Sequence, residues 1–293
     1  MKKIVLIGDG MADWPIDTLD GKTPMEVAYT PNMDRLAQKG IQLLCKTVPD
    51  GILPGSDVAI LSIMGYDPQT HYTGRAPMEA ASMGVPVPED YTVFRCNTVT
   101  IKDGVMEDYS AGHITTPESQ TIIQDLDKEL TAPHYKFFPG VSYRHLLVIQ
   151  GDYRDLKCTP PHDILSKEIS SYLPTGPGQN IIRELMDKSI AICGSHPVND
   201  KRISDGHSPA TQIWLWGQGK MPQLESFCEK YDVNGGTIIS AVDLVKGIGI
   251  LAKLDVPQVE GLTGYLDTNY ANKVKSGLEG LKKNDFLLIH VEA

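Results

Sequence analysis

The chain has 293 residues, 41% hydrophobic and 22% charged, with 27 Lys and Arg against 37 Asp and Glu for a net charge of −10. This composition excludes a disordered tail, a collagen-like fibre and a coiled coil, and the length admits one large domain or two modest ones. The acidic balance gives no general attraction to nucleic acid or anionic membrane, so an anionic ligand needs a metal or a local cluster of Arg, Lys and His. No apolar run reaches the length of a membrane span, and Ile4–Ile7 is too short for the apolar part of a signal peptide. Five scattered cysteines without a C-x-x-C read as reduced thiols of a cytoplasmic protein.

The first expected element is Lys3–Ile7, a continuous apolar run that suits a strand buried on both faces of a parallel sheet. Thr30–Gly40 reads as a helix, with Thr30 as cap, Pro31 in the first turn and Gly40 as terminator. Asp57–Met64 reads as a second helix and sets Ser56 at its N-terminus. From Val85 to Asn199 the pattern changes: prolines are frequent, with strands at Val93–Ile101 and His145–Gln150 and a helix at Thr116–Leu130. The strand-then-helix rhythm resumes with strands at Thr211–Trp216, Thr237–Ile239 and Phe286–Val291 and a helix from Ala241 to Leu254. Alternation of this kind implies an α/β fold with a mainly parallel sheet. The expected organisation is a core of residues 1–85 and 200–293 with an inserted α/β domain at 86–199.

Asp9 follows a strand directly between two glycines, where open α/β sheets gather ligands; satisfying a turn is an equally good account of it. Ser56 at a helix N-terminus faces unpaired N–H groups that favour an anion. Serine is also a common helix cap, and its hydroxyl is a weak nucleophile without a base or a metal. Gly8-Asp9-Gly10-Met11-Ala12-Asp13, Gly21-Lys22-Thr23 and Gly217-Gln218-Gly219-Lys220 all miss the spacing of nucleotide-binding loops. Eight dispersed histidines form no helical metal pair, although a subset with Arg75, Arg95, Arg144 and Arg202 suits a polar cleft.

Taken together, Val5–Asp13, Thr30–Leu36, Pro54–Ala59 and Met64–Pro68 resemble the archaeal-type cofactor-independent phosphoglycerate mutases of the alkaline phosphatase superfamily. The resemblance continues through Gly74–Ala80, Phe94–Asn97, Ile213–Lys220 and Thr263–Lys273. It implies an alkaline-phosphatase-like three-layer core carrying metals and an inserted domain holding substrate. It further implies a glycolytic isomerase that interconverts 3- and 2-phosphoglycerate through a phosphoserine. Two divalent metal ions (Mn, Mg or Zn) serve the family, with no organic cofactor. On this chain, Asp9 and Ser56 become metal ligands, Ser56 the nucleophile and Lys273 a neutraliser of the phosphoryl group. Arg95, His113, Arg144, His162 and Arg202 become substrate-binding residues. The remaining metal ligands are expected beyond Ala293. Pro160-Pro161-His162 stands where archaeal members often read Asp-Pro-His, which points to a bacterial-looking subgroup that includes proposed homoserine kinases. Phosphoryl transfer to homoserine and a catalytically incomplete fragment are therefore alternatives. The expected partner is a small phosphorylated acid, not nucleic acid or membrane.

Overall fold

Two kinds of apolar pattern build two different sheets. In the computed structural model, which describes residues 1–292, the chain begins with β1 (Lys3–Asp9), α1 (Pro24–Val27), α2 (Pro31–Lys39), α3 (Ser56–Ile63), α4 (Pro68–His71) and α5 (Ala76–Ser82). The middle carries β2 (Tyr91–Lys102), β3 (Val105–Asp108), α6 (Thr116–Glu129), β4 (Tyr135–Val141), β5 (Arg144–Gln150), α7 (Gln179–Gly194) and α8 (Pro197–Ser204). Then follow β6 (Gln212–Gly219), α9 (Phe227–Tyr231), β7 (Gly236–Ile239), α10 (Asp243–Leu251), α11 (Tyr270–Lys283) and β8 (Phe286–Glu292). No helix among the described residues is long and apolar enough to cross a membrane.

The chain forms two compact units, residues 1–72 with 224–293 and residues 73–223. Residues 73–85 and 200–223, expected in the core, thus belong to the second unit. The first unit contains a parallel sheet in the order β1-β8-β7. Helix α11 packs on it closely because Gly277 and Gly280 carry no side chain. A Cβ on Gly280 would lie 2.6 Å from Thr237 Oγ1, and one on Gly277 would lie 3.1 Å from Leu287 Cδ2.

Strand β1 departs from expectation. Among the described residues it is an edge strand paired only with β8, and Ile4 and Leu6 are exposed rather than buried on both faces. An apolar run encodes strand formation; its burial depends on what lies beside it. Helix α2 forms as expected, but Thr30 does not cap its backbone. Its hydroxyl donates to the Asp34 carboxylate at 2.9 Å.

The second unit is built on a five-stranded antiparallel sheet. Strand β2 is long enough to pair with β5, β6 and β3 along its length. The run at 211–216, expected in the parallel core, is β6 and lies antiparallel to β2. Phe94, Cys96, Leu147, Ile149, Ile213 and Leu215 pack from the sheet into the main core. Helix α6 covers that side through Ile123 and Leu126, and a capping box between Thr115 and Glu118 starts it.

The two ends of this unit are clasped together. Thr73 Oγ1 donates to the Lys220 carbonyl at 2.5 Å. Gly74 and Gly219 let the backbones approach so closely that a Cβ on either would lie 2.1 Å from a carbonyl oxygen across the pair. Gly74 also has φ +140°, a conformation that disfavours any side chain.

One buried group makes the second unit acid-sensitive. His145 is 1% exposed, and its Nδ1 accepts the Gly140 N–H at 3.0 Å, so the proton sits on Nε2. Burial, reinforced by Arg144 and Arg95, pushes its pKa from 6.5 down to about 3. The unfolded chain therefore binds a proton that the folded chain refuses. His145 stabilises fully above pH 6.5, and this contribution fades as pH falls towards 3, with a total on the order of 4 kcal/mol. His145→Gln should flatten the fall in urea midpoint between pH 7 and pH 5 relative to the wild type; identical pH profiles would refute this.

Candidate active site

Both sheets place polar side chains where regular packing ends. In the first unit, β1 and β8 run parallel in a register that sets Asp9 beside Glu292 and Ile7 beside His290. The carboxyl end of β1 thereby meets the polar end of β8. His290 Nε2 lies 3.1 Å from Asp9 Oδ2 and 3.5 Å from Glu292 Oε2. Ligand atoms of Asp9, His290 and Glu292 all fall within 4.8 Å of one another. The His290 ring is 1% exposed, and its Nδ1 lies 3.4 Å from the Ser240 hydroxyl.

Lys273 on α11 reaches the same strand. Its Nζ donates to the His290 carbonyl at 2.9 Å, and the residue is 1% exposed. Burial lowers its pKa, and the Glu292 carboxylate opposes that shift. One N–H of the ammonium is used in this bond, so two further donors remain for an anion.

Ser56 is the first residue of α3, and Gly55 takes the cap position without a side-chain bond. The capping account of Ser56 therefore does not hold. Its hydroxyl makes no hydrogen bond to another described residue. Next to it, Asp57 is buried; its carboxylate accepts the Val58 N–H at 2.9 Å and the Tyr72 hydroxyl at 2.8 Å.

In the second unit, a cationic cluster forms around β2. Arg95 is 4% exposed, and its Cζ sits 4.5 Å above the Trp216 ring. Trp216 is held in place by donating to Asn97 Oδ1 at 3.0 Å, and Asn97 in turn donates to the Tyr109 carbonyl. A register shift between Val93 and Arg95 marks the bulge at Gly217-Gln218, a common device for re-aiming side chains beside sites. His162 packs edge-on to Trp216, with ring centroids 5.3 Å apart. Burial lowers its pKa; Asp163 opposes this, while Arg95 and Arg75 lower it further. Arg144 is exposed at the start of β5, with its guanidinium 5.5 Å from the Tyr143 ring.

His113 and Arg202 meet at a strained turn. Ala111, Gly112 and His113 all have positive φ, a costly run for two residues with side chains. Asp108 anchors the turn by accepting from the Ser110 and Gly112 backbone. Arg202, 3% exposed, spends its guanidinium on the Ala111 and Ser208 carbonyls and on Glu118 at 2.8 Å. It braces the turn that carries His113.

Sequence reasoning selected Asp9 and Lys273 but not their neighbours His290 and Glu292. The detectable signal was the switch from four apolar residues to His-Val-Glu at the end of a strand. It likewise passed over Glu79, Trp216 and Asn97, whose roles depend on cross-strand contacts.

These features define an α/β enzyme-like protein: one unit carries a carboxylate–imidazole cluster at a parallel strand end, the other a buried arginine stacked on a tryptophan within a cationic cluster. The profile of the 2,3-bisphosphoglycerate-independent phosphoglycerate mutases matches residues 37–199. A protein of that name from Methanosarcina barkeri is 52% identical over all of this chain, which spans 74% of that relative. A probable member from Geobacter sulfurreducens is 48% identical over the same extent of both chains. Among solved structures, the PH0037 protein from Pyrococcus horikoshii superposes with a TM-score of 0.78 at 29% identity, over 99% of this chain and 70% of that one. The cofactor-independent phosphoglycerate mutase from Thermoplasma acidophilum gives 0.58 at 27% identity, over 100% and 78%. The chain belongs to the 2,3-bisphosphoglycerate-independent phosphoglycerate mutase family.

Proposed function

We propose that this chain interconverts 3-phosphoglycerate and 2-phosphoglycerate through a phosphoserine at Ser56. The reading rests on near-half or higher identity to named mutases over the whole chain, together with the Asp9 and Ser56 motifs. The parallel sheet is read as an alkaline-phosphatase-like core, and the second unit as the holder of the glycerate part.

The donor set of Asp9, His290 and Glu292 fits a divalent ion, since carboxylate and imidazole together suit Mn or Zn. Asp9 and Ser56 would hold one of two such ions. A bound ion lowers the pKa of a coordinated hydroxyl and offsets phosphoryl charge. Ser56 Oγ forms a bond to phosphorus as the bond from phosphorus to the substrate's O3 breaks, and the serine proton ends on that oxygen. The C2 hydroxyl then takes the phosphoryl group, and Ser56 recovers a proton. The Lys273 ammonium offsets the charge spread over the phosphoryl oxygens. Arg95, Arg144, His162 and His113 orient the glycerate, while Arg202 steadies the His113 turn.

The test is conversion of 3-phosphoglycerate without added 2,3-bisphosphoglycerate, before and after chelation. Removing divalent metal should lower turnover at least about a hundredfold, and Mn2+ should restore it. ATP-dependent phosphorylation of homoserine in place of isomerisation would overturn the reading.

A further inference from the structure

The cationic cluster in the second unit contains a carboxylate at its centre. Glu79, 8% exposed on α5, reaches two guanidiniums at once. Its Oε1 accepts from Arg75 Nε at 3.2 Å, and its Oε2 lies 3.1 Å from Arg95 Nε. The Arg95 contact is an ion pair without a completed hydrogen bond, because Nε has no partner of good geometry. Among the described residues, none accepts a hydrogen bond from the Arg95 guanidinium. A buried cation with donors unspent is costly unless an anion completes it. Trp216 fixes the plane of that guanidinium by stacking, and Glu79 fixes its rotation.

We propose that Glu79 is a positioning residue that locks Arg95 against Trp216 so that its terminal N–H groups meet the anionic end of a small phosphorylated acid. Glu79 touches no substrate in this arrangement; it acts through the two arginines. Both of its contacts use Nε, which leaves the forked Nη end of Arg95 to a carboxylate or phosphate. The inference rests on the mutase reading for the identity of the ligand.

The experiment compares the wild-type chain with Glu79→Gln and Glu79→Asp in steady-state kinetics and in calorimetric binding of 3-phosphoglycerate. Glu79→Gln keeps the shape but removes the charge that orients Arg95. Its KM and its dissociation constant should rise roughly tenfold while kcat stays within about twofold. Glu79→Asp keeps the charge on a shorter arm and should recover part of the affinity. Should Glu79→Gln not fold, Glu79→Asp carries the test with a rise of about threefold. An unchanged KM would overturn the inference. A lower KM would overturn it too, since it would make Glu79 a competitor for the arginines. If the wild type neither binds nor converts 3-phosphoglycerate, the mutase reading fails and this inference with it. If the wild type does both and Glu79→Gln matches it, only the role of Glu79 falls.

Discussion

Ser56→Ala is expected to abolish mutase turnover, by at least about a thousandfold, while leaving the fold intact. The two halves of that expectation have separate grounds. Turnover falls because no other described hydroxyl holds the same place at the start of a buried helix beside Asp57. The fold survives because Gly55, not Ser56, occupies the cap, and alanine is the best helix former for the first helical position. Stability should therefore change by no more than about 0.5 kcal/mol. The check is a turnover assay beside a thermal melt, with mass spectrometry for a phosphorylated residue after incubation with substrate. Undiminished turnover, or a phosphoryl group on another residue, would remove Ser56 from the mechanism.

Arg202→Ala should act in the opposite way, on stability first. Its guanidinium is buried and ties α8 to Glu118 and to the Ala111 and Ser208 carbonyls. Removing it strands several polar groups and should cost about 3–5 kcal/mol. For a unit of this size that corresponds to a fall of roughly 10 °C in melting midpoint. Arg202→Lys keeps the charge but not the fork and should recover only part of the loss. If Arg202→Ala melts like the wild type yet loses affinity for 3-phosphoglycerate, the guanidinium contacts substrate and the bracing role is wrong.

The elements legible in sequence were those encoded locally. The Thr115–Glu118 capping box starts α6 where expected, and the glycine-flanked Ser56 does open a helix. The apolar run at 211–216 was legible as a strand, but nothing in it specified an antiparallel partner. Burial of β1 failed for the same reason, because neighbours decide burial and neighbours are not local. The site divides along this line. Asp9 could be read from its own flanks, whereas His290 and Glu292 join it only through strand register across almost the whole chain. The resemblance offered Arg202 as a substrate-binding residue, and its bracing role was not legible because Glu118, Ala111 and Ser208, which consume its guanidinium, lie up to 91 residues away.

The clasp of Thr73, Gly74 and Gln218 to Lys220 bears on how the protein folds. Pairing β1 with β8 joins the two ends of the chain, with all of residues 73–223 in the intervening loop. If that segment were still a random coil, closing the loop would be slow and entropically costly. Once the segment has folded, its entry and exit lie side by side, and the first unit experiences it as a loop of only a few residues. Roughly halving the effective loop in this way removes about 0.6 kcal/mol of closure entropy from the assembly of the parallel sheet. The pairing of β1 with β8 that gathers Asp9, His290 and Glu292 spans a longer stretch of chain than any pairing in the antiparallel sheet, so it is expected to form after that sheet.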